Sequence, residues 1–510
     1  MMNPYKDLED VTDKLIIQPL INAKDNQDAF VMACELINEY ISSNILEYKS
    51  PYFHQDLIYS VEELMTLQLC ETCFRDYPEE LDLIISKASK HCFENNYPRR
   101  SYGDSSVRFN LSKNEISEKI QYLNNIPQAD QRSNEWFLQR HKTLTASSIW
   151  KVFGTNSVRN QLIYSKCSPI DMKKYNRFNL ESSLHWGQKY EDVSIAWYER
   201  EYKTNVSEFG CIPHRRLNYL AASPDGINTD PESQRYGRMV EVKNIVNRDI
   251  TGIPKLEYWI QMQLQLEVCE LRECDFLETR FKEYSNYEEF VLDGTFTRTK
   301  DNKQKGIMML FLDSNRKPFY TYAPLDISKS ELEIWTDNEM KKHENKNWLK
   351  NIYWRLDEVS VVLVLRNKKW FNEAIPYFEE MWDIIKKERI SGYQHRAPNK
   401  RKKRKKSFDN EIITINDTNN ITNNITNPIA NTKCLISVKK IDSPVTVKSK
   451  IVKPKSSMND EDIIMKVQDA TIKDTDTIMK VNDDTNKDTD TIMKDSNSII
   501  INIDTEIYSN

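Results

Sequence analysis

Between Ser223 and Lys243 the chain joins a forced turn to a strand of alternating character. Ser223-Pro224-Asp225-Gly226 sets an acid between proline and glycine, and Met239-Val240-Glu241-Val242-Lys243 alternates apolar with charged residues. Alternate side chains of a strand share a face, so Glu241 and Lys243 point one way while Val240 and Val242 enter a core. Pro-Asp-Gly ends the apolar run 217–222 in a turn. Folding that run back antiparallel to 239–243 is expected to bring Asp225 beside Glu241. Two adjacent carboxylates suit a hard cation such as Mg²⁺, and a nearby lysine can hold a phosphate or a charged nucleophile. In a chain that is 29 % charged the bare pattern also arises by chance, and a solvated hairpin is the plain alternative.

A chain of 510 residues has room for two or three domains and a sizeable core. A net charge of −5 excludes a basic nucleic-acid coat, so any DNA affinity must come from a local patch. No apolar stretch reaches the roughly 18 residues of a membrane span, and Met1-Met2-Asn3-Pro4-Tyr5-Lys6 has no signal-peptide core. A soluble, intracellular protein with no membrane partner is expected, its 9 cysteines reduced.

The expected organisation is a helical N-terminal region over 1–110, a compact aromatic-rich domain over 111–395, a basic linker over 396–406 and a low-complexity tail over 407–510. Apolar residues fall at helical spacing through 30–45 and 57–74. Cys70, Cys73, His91 and Cys92 are zinc-ligand types, but Cys70 and Cys73 lie in an apolar helical pattern that suits buried thiols. Within 111–395 the spacing predicts helices at 116–123, 182–202, 256–268 and 370–390. Strands are expected at 210–212, 217–222, 239–243, 275–281, 307–312 and 359–365. Trp186, Tyr190, Val193 and Trp197 form the apolar stripe of the helix 182–202. Lys400–Lys406 is an unbroken basic run, and Lys473–Lys480 returns as Lys487–Lys494. The tail is too polar to offset its ordering entropy and is expected to be disordered.

Three elements flank the central motif. Glu191 lies off the apolar stripe of its helix, one turn after Gly187; alone it reads as a solvent-facing acid. Tyr258, Gln261 and Gln265 make a polar edge on an otherwise apolar helix. Upstream, Trp136…Arg140 and Thr145-Ala146-Ser147 pair a guanidinium with hydroxyls, a combination that grips phosphate. Singly, Arg140 and Ser147 read as a surface cation and a helix cap.

In order, Trp136…Arg140…Thr145-Ala146-Ser147, His185-Trp186-Gly187-Gln188-Lys189-Tyr190-Glu191, Ser223-Pro224-Asp225-Gly226, Glu241-Val242-Lys243 and Gln261-Met262-Gln263 resemble the YqaJ viral recombinase family. This is the λ-type exonuclease family of the PD-(D/E)XK nuclease superfamily, and the likeness covers roughly residues 127–285. It implies an α/β (α+β) restriction-endonuclease-like core, a mixed central sheet flanked by helices. It also implies a 5′→3′ exonuclease on double-stranded DNA ends that leaves 3′ overhangs for recombination. By that likeness Asp225, Glu241 and the Val242 carbonyl would hold Mg²⁺, for which Mn²⁺ would substitute, and Glu191 would act on the metal directly or through water. Lys243 would orient and help deprotonate the attacking water, and Gln261 would steady that water or the lysine. Arg140, Ser147 and Ser223 would hold the terminal 5′-phosphate.

The family further implies a single-strand annealing partner and a homo-oligomer, in its best-known form a trimer. The insertion Thr229–Gly237 sets this chain apart and is expected to alter DNA access. Usage rich in Asn, Ile and Lys suits a large DNA virus, which would place the protein in host cytoplasm, nucleus or virion. The rivals are an endonuclease of the same fold and a catalytically silent scaffold that binds DNA ends.

Overall fold

The computed structural model describes residues 21–106, 112–171 and 179–398. The basic run at 400–406, the tail with its tandem repeat and residues 1–20 lie outside the described residues.

Three helices open the described chain: α1 (Ala23–Ser43), α2 (Phe53–Gln68) and α3 (Pro78–Asn95). The Asn22 side chain caps α1 by accepting the Asp25 N–H, and Ala29, Ala33, Ile37 and Ile41 recur every four residues as its buried face. Cys92 is buried in the same core, its Sγ 4.0 Å from the Cys34 carbonyl.

Then follow α4 (Lys113–Asn125), α5 (Asn134–His141), β1 (Leu144–Thr145), α6 (Asn156–Cys167) and α7 (Ser183–Tyr202). Four short strands come next: β2 (Val206–Ser207), β3 (Ile212–Pro213), β4 (Leu220–Ala222) and β5 (Gly226–Asn228). The remainder is β6 (Met239–Asn244), α8 (Leu256–Cys269), β7 (Glu273–Glu283), α9 (Tyr287–Leu292), β8 (Lys305–Leu312), β9 (Pro318–Tyr322), α10 (Lys329–Lys342), β10 (Asn347–Leu365) and α11 (Lys368–Ser391).

The strands form a seven-stranded mixed sheet in the order β2-β5-β6-β7-β10-β8-β9 and a small sheet β1-β4-β3. In the large sheet β6 and β7 are parallel, joined across α8, while its other pairs are antiparallel. Helices α8 and α11 share one core with α1–α3. Trp259 of α8 meets Trp370 of α11 edge-on at 5.0 Å and stacks on Tyr48 at 6.3 Å. The described N-terminal helices are therefore built into the core that backs the sheet.

One expected pairing differs. The run 217–222 does not fold back on 239–243: Leu220–Ala222 pairs with β1 and β3 in the small sheet. The antiparallel partner of β6 is β5, with Gly226 opposite Val240 and Ile227 opposite Met239. Asp225 thus stands where the chain passes from one sheet to the other. Gly226 is needed for close approach, since a Cβ there would collide with the Val206 side chain.

The excursion 229–237 is anchored inward. Arg235 stacks over Tyr202 at 3.5 Å and pairs with the fully buried Asp275; the adjoining Arg238 pairs with Glu273 at 2.8 Å and Asp275 at 3.1 Å. Tyr236 packs on Ile116 and Ile120 of α4. Two buried cations against two buried acids compensate their desolvation and fix the loop.

Candidate active site

The site lies at the C-terminal end of β6, where the β6–β7 pair meets the first turns of α7 and α8. Asn244 ties these elements together: its Nδ2 donates to the Gly187 carbonyl at 2.7 Å, and its Oδ1 accepts from Ser194 at 2.7 Å and Thr279 at 2.6 Å. At Gly187 an added Cβ would meet nothing within 4 Å, so this turn of α7 faces open space. The space is a cavity of about 320 Å³ lined among others by Arg132, Arg140, Glu191, Asp225, Lys243 and Gln261.

Glu241 is fully buried just behind the wall. Its Oε1 accepts from Lys243 and, at 2.6 Å, from Gln261; its Oε2 accepts from Gln265 at 2.7 Å. The two glutamines stand one turn apart on α8, so that edge of the helix presents two amides to one carboxylate. Gln265 Oε1 is buried without a donor. Asp225 Oδ2 accepts the Val242 N–H at 2.8 Å, which fixes the acid of the turn to the strand that carries Glu241 and Lys243. Glu191 accepts from Arg132 at 2.8 Å.

These charges sense one another. Burial raises the pKa of Glu191 and of Glu241 above the usual carboxylate range, and the charge of Asp225 pushes both further up. Arg132 opposes the rise at Glu191, and Lys243 opposes it at Glu241. Burial works against the Lys243 charge, but Glu241 and Asp225 outweigh it and hold the lysine above its ordinary range. The Lys243 Nζ lies 5.2 Å from the Tyr258 ring centroid.

A second group of residues shares the cavity. The Ser133 hydroxyl caps α5 by accepting the Trp136 N–H at 3.1 Å. Trp136 is buried under Arg140, whose guanidinium lies 3.9 Å from the ring centroid, and its indole N–H donates to the Ser223 hydroxyl at 3.2 Å. Arg140 donates to Ser147 at 2.9 Å. Arg140, Ser147 and Ser223 therefore converge, with Ser223 two residues from Asp225.

All residues singled out in the sequence for this site come to one place: Glu191, Asp225, Val242, Lys243, Gln261, Arg140, Ser147 and Ser223 line the cavity, with Glu241 beneath it. Arg132 escaped sequence reading. It sits in a loop at a positive φ of 66°, where no periodicity marks it; only its place four residues before Trp136 could have drawn notice.

The donor set fits a divalent cation in chemistry. Three mutually repelling carboxylates stand in or just behind one cavity and offer hard oxygens. Among the described residues no three His, Cys, Asp or Glu side chains form a ready-made metal cage. Arg132 donates to one oxygen of Glu191 and the Val242 N–H to one of Asp225, while Lys243 and the two glutamines donate to both oxygens of Glu241.

Fold and cavity together define a mixed α/β protein with a carboxylate-and-cation site at the end of a parallel strand pair. Residues 135–272, which carry most of this site, match the family model of the YqaJ-like viral recombinase domain. An uncharacterized protein of Acanthamoeba polyphaga mimivirus is 31 % identical over 330 residues, covering 57 % of this chain and 58 % of that protein. This chain thus spans less than two thirds of the relative's length. The crystal structure of an alkaline exonuclease from Laribacter hongkongensis is 17 % identical and covers 50 % of this chain and 94 % of that one, at a TM-score of 0.29. Its complex with dAMP aligns at 18 % identity and the same TM-score of 0.29. No helix among the described residues is long and apolar enough to cross a membrane.

Proposed function

We propose that this chain is a Mg²⁺-dependent deoxyribonuclease that digests linear double-stranded DNA from 5′ ends and leaves 3′ single-stranded overhangs for recombination, repair or replication. The observation that carries the reading is the junction at Ser223-Pro224-Asp225. Ser223 belongs to the Trp136–Arg140–Ser147 cluster, while Asp225 is bonded to the strand of Glu241 and Lys243. A pocket suited to a phosphate and a pocket suited to a cation thus share one turn of chain.

Asp225, Glu241, Glu191 and the Val242 carbonyl would hold Mg²⁺, or Mn²⁺ in its stead, which supplies positive charge to the scissile phosphate. Arg140, Ser147 and Ser223 would take a terminal 5′-phosphate through charge-assisted hydrogen bonds and so fix the distance from the DNA end to the bond cut. Lys243 enters as an ammonium and orients the attacking water by donating to it. To accept the water's proton it must first release its own to solvent, a loss that becomes easier once Glu241 and Asp225 are engaged elsewhere. Gln261 and Gln265 keep the Glu241 carboxylate turned to this work. DNA ends, a single-strand annealing protein and further copies of this chain are the partners that go with the reading, in a viral setting.

Protein stripped with EDTA tests the metal requirement. Release of acid-soluble nucleotide from linear duplex should begin on adding Mg²⁺ or Mn²⁺; release at full rate in EDTA would overturn the reading.

A further inference from the structure

Beyond the segment 135–272, strands β8, β9 and the first half of β10 form an arm, and its far end is basic. Leu312 pairs with both Pro318 and Asn347, so the β8–β9 turn and the start of β10 lie side by side. The His343 ring, just past α10, packs on Phe319 at 4.8 Å and Phe311 at 5.5 Å, and the Lys346 ammonium lies 4.6 Å from the Phe319 centroid. Arg316 and Lys317 of the β8–β9 turn and Lys341, Lys342 and Lys346 of the link from α10 to β10 belong to these segments, with Asp313, Glu339 and Glu344 among them. Beside the cations Trp348 is 47 % and Leu349 49 % exposed.

The other end of the arm touches the site. The Tyr322 hydroxyl donates to the Lys189 carbonyl at 3.0 Å, two residues before Glu191, and the Tyr320 hydroxyl lies 2.5 Å from His185 Nε2. From Tyr322 to Lys317 is five residues of strand, about 17 Å at roughly 3.4 Å each. Along a duplex that is about five base pairs at 3.4 Å per pair.

We infer that the basic tip of this arm is a second DNA contact, gripping duplex phosphates about five or more base pairs from the end held in the cavity. The inference rests on the cavity being a DNA-end site. An excess of long-armed cations matches a repeating phosphate backbone, which positions DNA without reading its sequence. The arm would align the duplex while Arg140 holds its end.

The test is binding of blunt hairpin DNA with identical ends and stems of about 4 and about 20 base pairs, with Ca²⁺ in place of Mg²⁺ to prevent turnover. The triple variant Arg316→Glu/Lys341→Glu/Lys346→Glu should melt like the parent. It should lose about tenfold or more in affinity for the long stem at low salt, and the slope of log K against log salt should flatten by about 2–3. Affinity for the short stem should stay within about twofold of the parent's. Unchanged long-stem binding, or equal loss on both stems, would overturn the inference. Parent protein that binds both stems equally would overturn the arm alone, whereas failure to bind either would overturn the DNA-end site as well.

Discussion

Asp225 accepts the backbone N–H of Val242 at 2.8 Å, so the turn and the strand are set against each other by a carboxylate as well as by strand pairing. Asp225→Asn keeps an acceptor for that N–H and removes the charge. Hydrolysis should fall by about 10²-fold or more, the scale for losing one preorganised charged group, while the melting temperature stays within a degree or two of the parent's. Nuclease assay beside calorimetry checks this, and near-parental turnover would remove Asp225 from the metal set.

Glu241→Ala is a poorer probe than Glu241→Gln. Truncation strands the Lys243 ammonium and the amides of Gln261 and Gln265 around a void, and each unpaired buried group costs about 1–3 kcal/mol. Glu241→Ala should therefore lose both activity and stability, whereas Glu241→Gln should lose activity with a smaller fall in melting temperature. Equal melting of the two variants would contradict the hydrogen bonding around Glu241.

Lys243→Ala should slow turnover by orders of magnitude while affinity for duplex ends, measured with Ca²⁺, changes little, because the group acts in the chemical step. A variant with parental kcat and raised KM would make Lys243 a DNA-binding cation only.

Arg238→Met leaves Glu273 and Asp275 short of a buried partner. Breaking such a pair costs about 3–5 kcal/mol, and at about 2–4 °C per kcal/mol the melting temperature should drop by roughly 10 °C. A loss within 2 °C or so would mean that the loop 229–237 is not held by this network.

Much of the site could be read from the sequence because its parts obey local rules. Glu241 and Lys243 follow strand alternation, and Gln261 and Gln265 follow the helical turn. The tertiary pairing was less legible. Pro-Asp-Gly looks like a hairpin between its flanking runs, but Leu220–Ala222 is paired with β1 and β3 from earlier in the chain, so the strand beside β6 begins only after the turn, at Gly226. Strand β10 begins twelve residues before its β-branched run at 359–365: Asn347–Asp357 carries few β-branched residues, and its alternately buried Ile352, Trp354 and Leu356 are paired with β8 and β7. Helix α10 buries none of its residues and so shows no apolar stripe. The inward anchoring of 229–237 was hidden because Arg235 and Arg238 read as surface charges until their buried acids are in view.

The most direct test compares linear duplex bearing 5′-phosphate, the same duplex bearing 5′-hydroxyl, and covalently closed circles, all with Mg²⁺ and with parent and Arg140→Ala protein. The phosphorylated linear form should be digested much faster than the hydroxyl form, circles should resist, and Arg140→Ala should erase most of the phosphate preference. Circles cut as fast as phosphorylated linear DNA would contradict end recognition and leave an endonuclease in its place.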